Sequence, residues 1–394
     1  MIEYQSTFTY IIENAMVLNT HSLEIPYMMK KIIVVLFVFG LFFPMIAQAQ
    51  ATTTAVPFLL IAPDSRASGM GETGVAIADN VWAIYWNPGG LAFQQGSELG
   101  LTHANWLPGL GLPDIWIAHL AYKQPIEAWD GVVSGQITYL NLGEFTRTLN
   151  DPTPLGTFNA YEYALAVGYS TKITPSLGLG INVRLIHSFL APFGTANEQG
   201  RGVATDFSFD VGILYRPIAL FIPFTNLDLG HRLSLGATIS NIGPKLTYID
   251  KAQADPLPQN LRLGIGYKII ESEYNNLAFT TEVTRLLVTR DTSSSDEFYK
   301  AFYTTWTQSG QIRRFTLGLG MEYWYGSPKL IAIRAGYFYE DPREGNRKFL
   351  TFGAGIRYDI YEFNFGYIST FESQDPLGET LRLTLSIAWG GEGQ

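Results

Sequence analysis

The chain has 394 residues, of which 47% are hydrophobic, 14% aromatic and 15% charged, and its formal net charge is −9. Charged residues are scarcer than the ~25% usual in soluble proteins, and no basic block of the kind that binds nucleic acid is present. The sequence contains no cysteine, which excludes disulfides, thiolate metal sites and a cysteine nucleophile.

The first 49 residues have the features of a targeting segment. Lys30 and Lys31 precede a short apolar run over 32–43, and an Ala-Gln-Ala triplet ends at Ala49. This is the order of a signal peptide, and the run is shorter than the ~20 residues of a spanning helix. We therefore predict that residues 1–49 are an upstream extension plus a signal peptide, cleaved after Ala49.

Residues 50–97 form a separate unit ahead of the first long strand. They combine Gly- and Pro-rich turns with short apolar pieces. If the long strands that follow close into a barrel of about fourteen strands, its lumen is wider than its own side chains can fill. We predict that this segment is an N-terminal plug.

From residue 98 onward the chain alternates between apolar and small or polar residues. Over 260–269, for example, Leu, Ile and Tyr alternate with Arg, Gly and Lys. Successive side chains of a strand point to opposite faces, so one face of each segment is apolar. We predict fourteen such strands, near 98–106, 114–122, 131–142, 158–170, 177–188, 203–216, 231–241, 260–269, 276–287, 312–323, 329–339, 348–358, 361–371 and 380–389.

The length of these segments distinguishes a membrane barrel from a soluble sandwich. Strands of ~9–12 residues cross a bilayer at a tilt, whereas ordinary strands have 5–6. A sheet in lipid cannot leave its edges unpaired, so it must close. We therefore predict that residues 98–390 form an all-β, antiparallel transmembrane barrel of about fourteen strands. Aromatic residues suited to the interfacial girdles are Trp106, Tyr122, Tyr169, Tyr323, Trp324 and Trp389.

The connections between the predicted strands alternate in length. If the chain starts in the periplasm, the odd-numbered connections face outward, and most of them are longer than the even-numbered ones, as outer-membrane barrels require. The exception is 217–230, a long inner connection that contains the apolar sequence Phe-Ile-Pro-Phe at 221–224. Packing on the barrel rim is the favoured interpretation of this connection, and contact with a partner is the alternative.

Catalytic motifs are absent from the sequence. The histidines stand singly, without metal-ligand spacing, and there is neither a nucleophile elbow nor a P-loop. His187 with Asp206 and Asp210 is the best candidate for chemistry, but a polar network in the lumen is the favoured interpretation. We expect no enzymatic activity, cofactor or metal. Charges of both signs are predicted to face the lumen, which together with the plug argues against an open diffusion porin: Arg184, Asp206, Asp210, Arg262, Lys268, Glu282 and Glu322.

One motif in the plug resembles a known family. The residues that carry it are Asp64, Arg66, Gly69, Met70, Gly71, Gly74, Asn87, Pro88 and Gly89. Together with the 106–115 segment they resemble the PorV/PorQ family, and PorV more than PorQ. That family is distantly similar to FadL-type transporters of hydrophobic compounds, whose plug has Ala where this chain has Gly89.

The resemblance implies a function in type IX secretion, in the outer membrane of a Gram-negative bacterium. PorV-like barrels receive cargo proteins from the translocon barrel by binding the folded C-terminal signal domain, and they deliver this cargo to a surface sortase. Besides these partners, the barrel would contact outer-membrane lipid, and no nucleic acid is expected. The alternative function is that of a FadL-like transporter of hydrophobic small molecules.

The physics of these residue types adds expectations about the plug. Gly69, Gly71 and Gly74 permit a positive φ or close backbone approach, and Asn87-Pro88-Gly89 is strong turn chemistry. Because an unpaired buried charge is costly, Asp64 and Arg66 should pair with each other or with lumen residues.

Outer loops are the expected contact surface for partners. Our candidates for cargo contact are Trp106, Leu107, Pro113 and Asp114, together with 143–157 and 242–259. The rival transporter instead predicts an apolar pocket above the plug and a lateral opening at a strand kink. Glycines that could form such a kink lie at positions 178, 180, 264, 266, 318 and 320.

Overall fold

The computed structural model describes residues 54–391 apart from 113, 149–152, 194–199, 222, 224–227, 290–295, 309 and 373–374. The predicted signal peptide lies outside these residues. No helix in the described part of the chain is both long and apolar enough to cross a bilayer.

Fourteen antiparallel strands close into a barrel in which β1 pairs with β14. This confirms the predicted fold, and each predicted segment coincides with one strand. The strand β10 begins three residues later than predicted because Gln311–Arg314 form a 3-10 helix. The strands are β1 Ser97–Asn105, β2 Trp116–Ile126, β3 Gly131–Thr146, β4 Thr157–Thr174, β5 Leu177–Ala191, β6 Gly202–Tyr215, β7 Leu233–Ile242, β8 Asn260–Glu271, β9 Asn275–Leu286, β10 Phe315–Tyr325, β11 Ile331–Tyr339, β12 Lys348–Tyr358, β13 Tyr361–Thr370 and β14 Leu381–Trp389.

The two ends of the barrel differ in their connections. At one end, which we call the long-loop end, lie the connections after the odd-numbered strands, including 287–314 with its helix Phe298–Thr304. At the other, the short-turn end, the connections 175–176 and 359–360 have two residues each, and 216–232 is again the long exception. This asymmetry is typical of outer-membrane barrels, whose short turns face the periplasm.

The wall alternates between an apolar outer face and a polar inner face. On β5, Ile181, Val183 and Leu185 are exposed, whereas Asn182 and Arg184 are buried. Strands β3–β6 have 14–18 residues, against 9–12 in the others. Their extra length raises one side of the wall at the long-loop end.

Residues 54–96 lie inside the barrel as a plug made of short helices and turns. Its elements are the 3-10 helix Pro57–Leu60, α1 Ser65–Ser68, α2 Ala83–Trp86 and the 3-10 helix Pro88–Phe93. Trp82, Ile84 and Leu91 are fully buried between the plug and the inner wall. The remaining short helices of the described residues belong to the connections: Pro108–Leu110, Glu127–Trp129, Lys251–Gln253, Gln311–Arg314 and Phe298–Thr304, which we call α3.

Candidate functional site: the plug and the long-loop mouth

The plug glycines lie where no side chain fits. A Cβ on Gly71, whose φ is +68°, would sit 2.4 Å from the carbonyl oxygen of Leu319 on β10. On Gly69 it would sit 2.9 Å from Gly353 Cα, and on Gly74 it would enter the ring of Trp86. Gly71 therefore needs both a positive φ and close approach, while the other two need close approach alone.

The wall glycines face the same interface from the other side. A Cβ on Gly178 would sit 2.3 Å from the carbonyl oxygen of Gly89. A Cβ would also sit within 2.6 Å of a plug atom at four other wall glycines, Gly180, Gly264, Gly318 and Gly320. The register shifts of the described strands lie elsewhere, at the residue pairs Asn141/Gly143, Lys172/Thr174, Phe189/Ala191, Phe209/Val211 and Lys268/Ile270. These five glycines thus make room for the plug, four of them for its backbone and Gly264 for the Val75 side chain, instead of kinking the wall.

Arg66 anchors the plug to β10. Its Nε and Nη2 donate to the two carboxylate oxygens of Glu322 at 2.7 Å each, and its Nη1 donates to Asp79. Arg334 of β11 donates to the same Glu322 at 2.8 Å. Desolvation raises the pKa of Asp79. The positive charge of Arg66 and its hydrogen bond to Asp79 have the larger combined effect, and they hold the pKa of Asp79 below its usual range.

Asp64 forms its hydrogen bonds within the plug and, among the described residues, makes no ion pair with Arg66 or with a wall residue. It accepts a hydrogen bond from Trp86 Nε1 at 2.7 Å and caps α1 through Ala67 N at 3.1 Å. Burial raises the pKa of Asp64, although both hydrogen bonds act against the rise. The carboxyl therefore holds two parts of the plug together.

Glu282 of β9 binds plug backbone. Its Oε2 accepts from Gly74 N at 2.9 Å and Val75 N at 3.0 Å. Two buried N–H groups that would otherwise lack partners are thereby satisfied. Next to them, the Met70 carbonyl accepts from Thr73 Oγ1, and the Met70 side chain is fully buried.

The Asn87-Pro88-Gly89 turn begins a 3-10 helix against β4–β6. Asn87 Oδ1 accepts from Gly89 N at 3.1 Å, and Asn87 Nδ2 donates to Val75 O and Ile213 O at 2.9 Å each. The Pro88 carbonyl accepts from Ser170 Oγ of β4 at 2.7 Å. Because its side chain joins two plug segments to the wall, Asn87 is a structural cross-link.

The histidine–aspartate constellation considered in the sequence does not form. Asp210 faces inward and pairs with Arg184 at 2.7 Å, whereas His187 faces outward, where its ring lies 4.9 Å from the ring of Tyr163 at an interplanar angle of 30°. One position of register separates the two faces of a strand. The polar network in the lumen is therefore the correct interpretation of Asp210.

Sequence reasoning missed several plug anchors. No motif or alternation in the sequence indicated that Asp79 anchors the plug. Arg334 and Arg382, which donates to Ser68 Oγ at 2.5 Å, could have been found as charges at inward-facing strand positions.

The candidate contact residues meet at the long-loop mouth. Trp106 points inward and packs on an apolar cluster with Ile117 and Leu246, and Leu107 has a φ of 54° at the start of Pro108–Leu110. Asp114 is exposed, and its carbonyl accepts from Asn141 Nδ2 at 2.6 Å. Pro113 lies outside the described residues.

A cavity of about 610 Å³ occupies this mouth, between the plug and the long loops. Its walls are largely apolar, and they come from the plug, from strand ends and from two of the candidate connections, 106–115 and 242–259. Its lining residues include Phe58, Trp106, Leu107, Leu142, Tyr248 and Asp255.

Comparison with protein families identifies the chain's relatives. The model of the family described as "Type IX secretion system protein PorV" matches residues 45–293, well over half of the sequence. The chain belongs to the PorV family. Like other PorV proteins, it is an outer-membrane barrel of Gram-negative bacteria and a transport component of type IX secretion. Among curated proteins, none matches this PorV sequence.

Solved barrels with the same architecture are distant from this PorV protein. The toluene transporter TodX of Pseudomonas putida is 14% identical, with a TM-score of 0.49 over 83% of this chain and 98% of its own. The toluene transporter TbuX of Ralstonia pickettii is 12% identical (TM-score 0.44, 84% and 98%). A FadL homologue of Pseudomonas aeruginosa is 14% identical (TM-score 0.44, 83% and 98%).

Proposed function

We propose that this PorV protein is a non-enzymatic shuttle that binds the folded C-terminal signal domain of secreted cargo. It takes the cargo from the translocon barrel and delivers it to the surface sortase. The binding surface is the long-loop mouth, with Trp106, Leu107, Pro113 and Asp114 and the connections 143–157 and 242–259.

The closed lumen is the observation that carries this proposal. The plug is held by the Arg66–Glu322 ion pair to β10, by Glu282 of β9 and by wall glycines that make room for it. A folded cargo domain has no path through such a lumen, so a role in protein transport requires docking on the outside. The mouth offers an aromatic and apolar surface with a polar rim, which suits protein recognition.

Deletion of the gene tests the shuttle in the cell. We expect cargo with uncleaved C-terminal domains to accumulate within the cell envelope, and restoration by the wild-type gene but not by a mouth variant such as Trp106→Ala with Leu107→Asp. Trp129→Ala, an exposed residue at the short-turn end, is the matched control. Normal surface delivery in the deletion strain would end the proposal.

The apolar cavity supports a second candidate, a FadL-like transporter of hydrophobic small molecules. The cavity lies directly above the plug, where such a transporter would first bind its ligand. This candidate predicts slower uptake of a hydrocarbon or fatty acid in the deletion strain. Unchanged uptake in that strain would exclude it.

A further inference from the structure

The described residues of the connection 216–232, which are 216–221, 223 and 228–232, form an exposed hairpin at the short-turn end. Leu229 N donates to Leu220 O at 2.8 Å, and the Asp228 carboxylate accepts from Leu220 N and Gly230 N. Ile218 is 50% exposed and Phe221 67%. These two apolar side chains are therefore exposed, and the rim packing favoured from the sequence is wrong for them; Ile222 and Phe224 lie outside the described residues.

Beside this hairpin, a cavity of about 250 Å³ opens between the plug and the strand ends. Among its lining residues, the acidic ones already have partners. Asp79 binds Arg66, Glu322 binds Arg66 and Arg334, and Glu271 binds Lys268 at 2.5 Å.

Three further cations line the cavity without an acidic hydrogen-bond partner. Within the described residues, the side chains of Arg216, Arg232 and Lys329 make no hydrogen bond or ion pair; Arg216 lies 5.3 Å from the ring of Phe93. The adjoining walls are apolar, with Ile77, Leu233 and Leu277. The charge of Asp79 acts on Arg216 and Lys329 without a direct contact. Cations that lack a bonded counter-ion in a concave site attract anions and select acidic partners.

We propose that the short-turn end is a docking site for a periplasmic protein segment in which carboxylates alternate with apolar side chains. The carboxylates enter the cavity and pair with Arg216, Arg232 and Lys329, while the apolar side chains cover Ile218 and Phe221. Short turns of outer-membrane barrels face the periplasm. The site is thus separate from the long-loop mouth, and it stands independently of the cargo proposal.

Peptide binding to the full-length protein in nanodiscs of zwitterionic lipid tests this site. The probe is a fluorescent peptide of three Glu-Leu repeats, followed by anisotropy and compared with Gln-Leu and Lys-Leu repeats. We expect that, of the three peptides, only the Glu-Leu peptide binds the wild-type protein. Its affinity for the triple variant Arg216→Gln, Arg232→Gln, Lys329→Gln should be about tenfold lower than for wild type. Phe221→Ser should also weaken binding, whereas Arg313→Gln, a cation near the opposite end, should leave it unchanged.

Three results would overturn the proposal. One is equal binding of the Gln-Leu peptide, and another is wild-type affinity in the triple variant and in Phe221→Ser. The third is displacement of the peptide by phosphatidylglycerol vesicles that bind wild type but not the triple variant, since this would assign the cavity to a lipid phosphate. Heat-modifiable gel mobility verifies that each variant is folded, and Phe221→Ser changes an exposed side chain that makes no core contact.

Discussion

Arg66 of the plug and Glu322 of β10 are joined by two parallel hydrogen bonds of 2.7 Å, across 256 positions of sequence. Both side chains are largely buried. Bidentate arginine–carboxylate pairs fix orientation as well as distance. This pair therefore sets where the plug sits in the lumen.

Removing one partner of that pair should destabilise the plug. Glu322→Gln leaves Arg66 and Arg334 without their shared carboxylate, at a cost of ~3–5 kcal/mol. Denaturant unfolding in lipid measures the cost, and conductance reports a displaced plug. Glu271→Gln breaks the exposed pair with Lys268 and should cost less than ~1 kcal/mol. Equal costs for the two variants would show that Glu322 is no anchor.

Gly71 should not tolerate a side chain. Gly71→Ala places a Cβ 2.4 Å from a backbone oxygen at a φ of +68°, and strain with overpacking should cost roughly 2–4 kcal/mol. Gly135→Ala is the matched control, because the nearest atom to its Cβ lies at 3.7 Å. The unfolding midpoints of both variants decide the matter, and a stable Gly71→Ala protein contradicts the packing described.

The two plug aspartates should respond to pH with opposite signs. The pKa of Asp79 is lowered in the folded protein, so its stabilisation is present above the unfolded value of ~3.9 and is lost as pH falls through the folded pKa. The stability gap between wild type and Asp79→Asn should shrink on acidification.

For Asp64 the folded pKa is raised, so the proton binds more tightly in the folded state. The stability of wild type relative to Asp64→Asn should then increase as pH falls through the folded pKa towards ~3.9. Unfolding curves between pH 3 and pH 7 measure both gaps. Parallel trends for the two variants would contradict the assigned contacts.

The barrel could be predicted from sequence because its determinants are local. Alternation along each strand marks its outward face, and the greater length of the odd-numbered connections indicates which end of the barrel faces outward. The plug contacts could not be predicted, since Arg66 and Glu322, or Gly74 and Glu282, meet only through closure of the whole sheet. The wall glycines carried a misleading signal: Gly178 and Gly320 suggested kinks, although their lack of a side chain serves the plug.

Direct binding of a cargo domain tests the central claim of docking at the long-loop mouth. A purified, folded C-terminal signal domain is titrated against the full-length protein in nanodiscs, and the affinity is measured for wild type, for Trp106→Ala with Leu107→Asp, and for Trp129→Ala. We predict saturable binding that the mouth variant weakens at least tenfold, or ~1.4 kcal/mol, and that Trp129→Ala leaves unchanged. No binding to wild type, or equal affinity for all three proteins, would contradict the account.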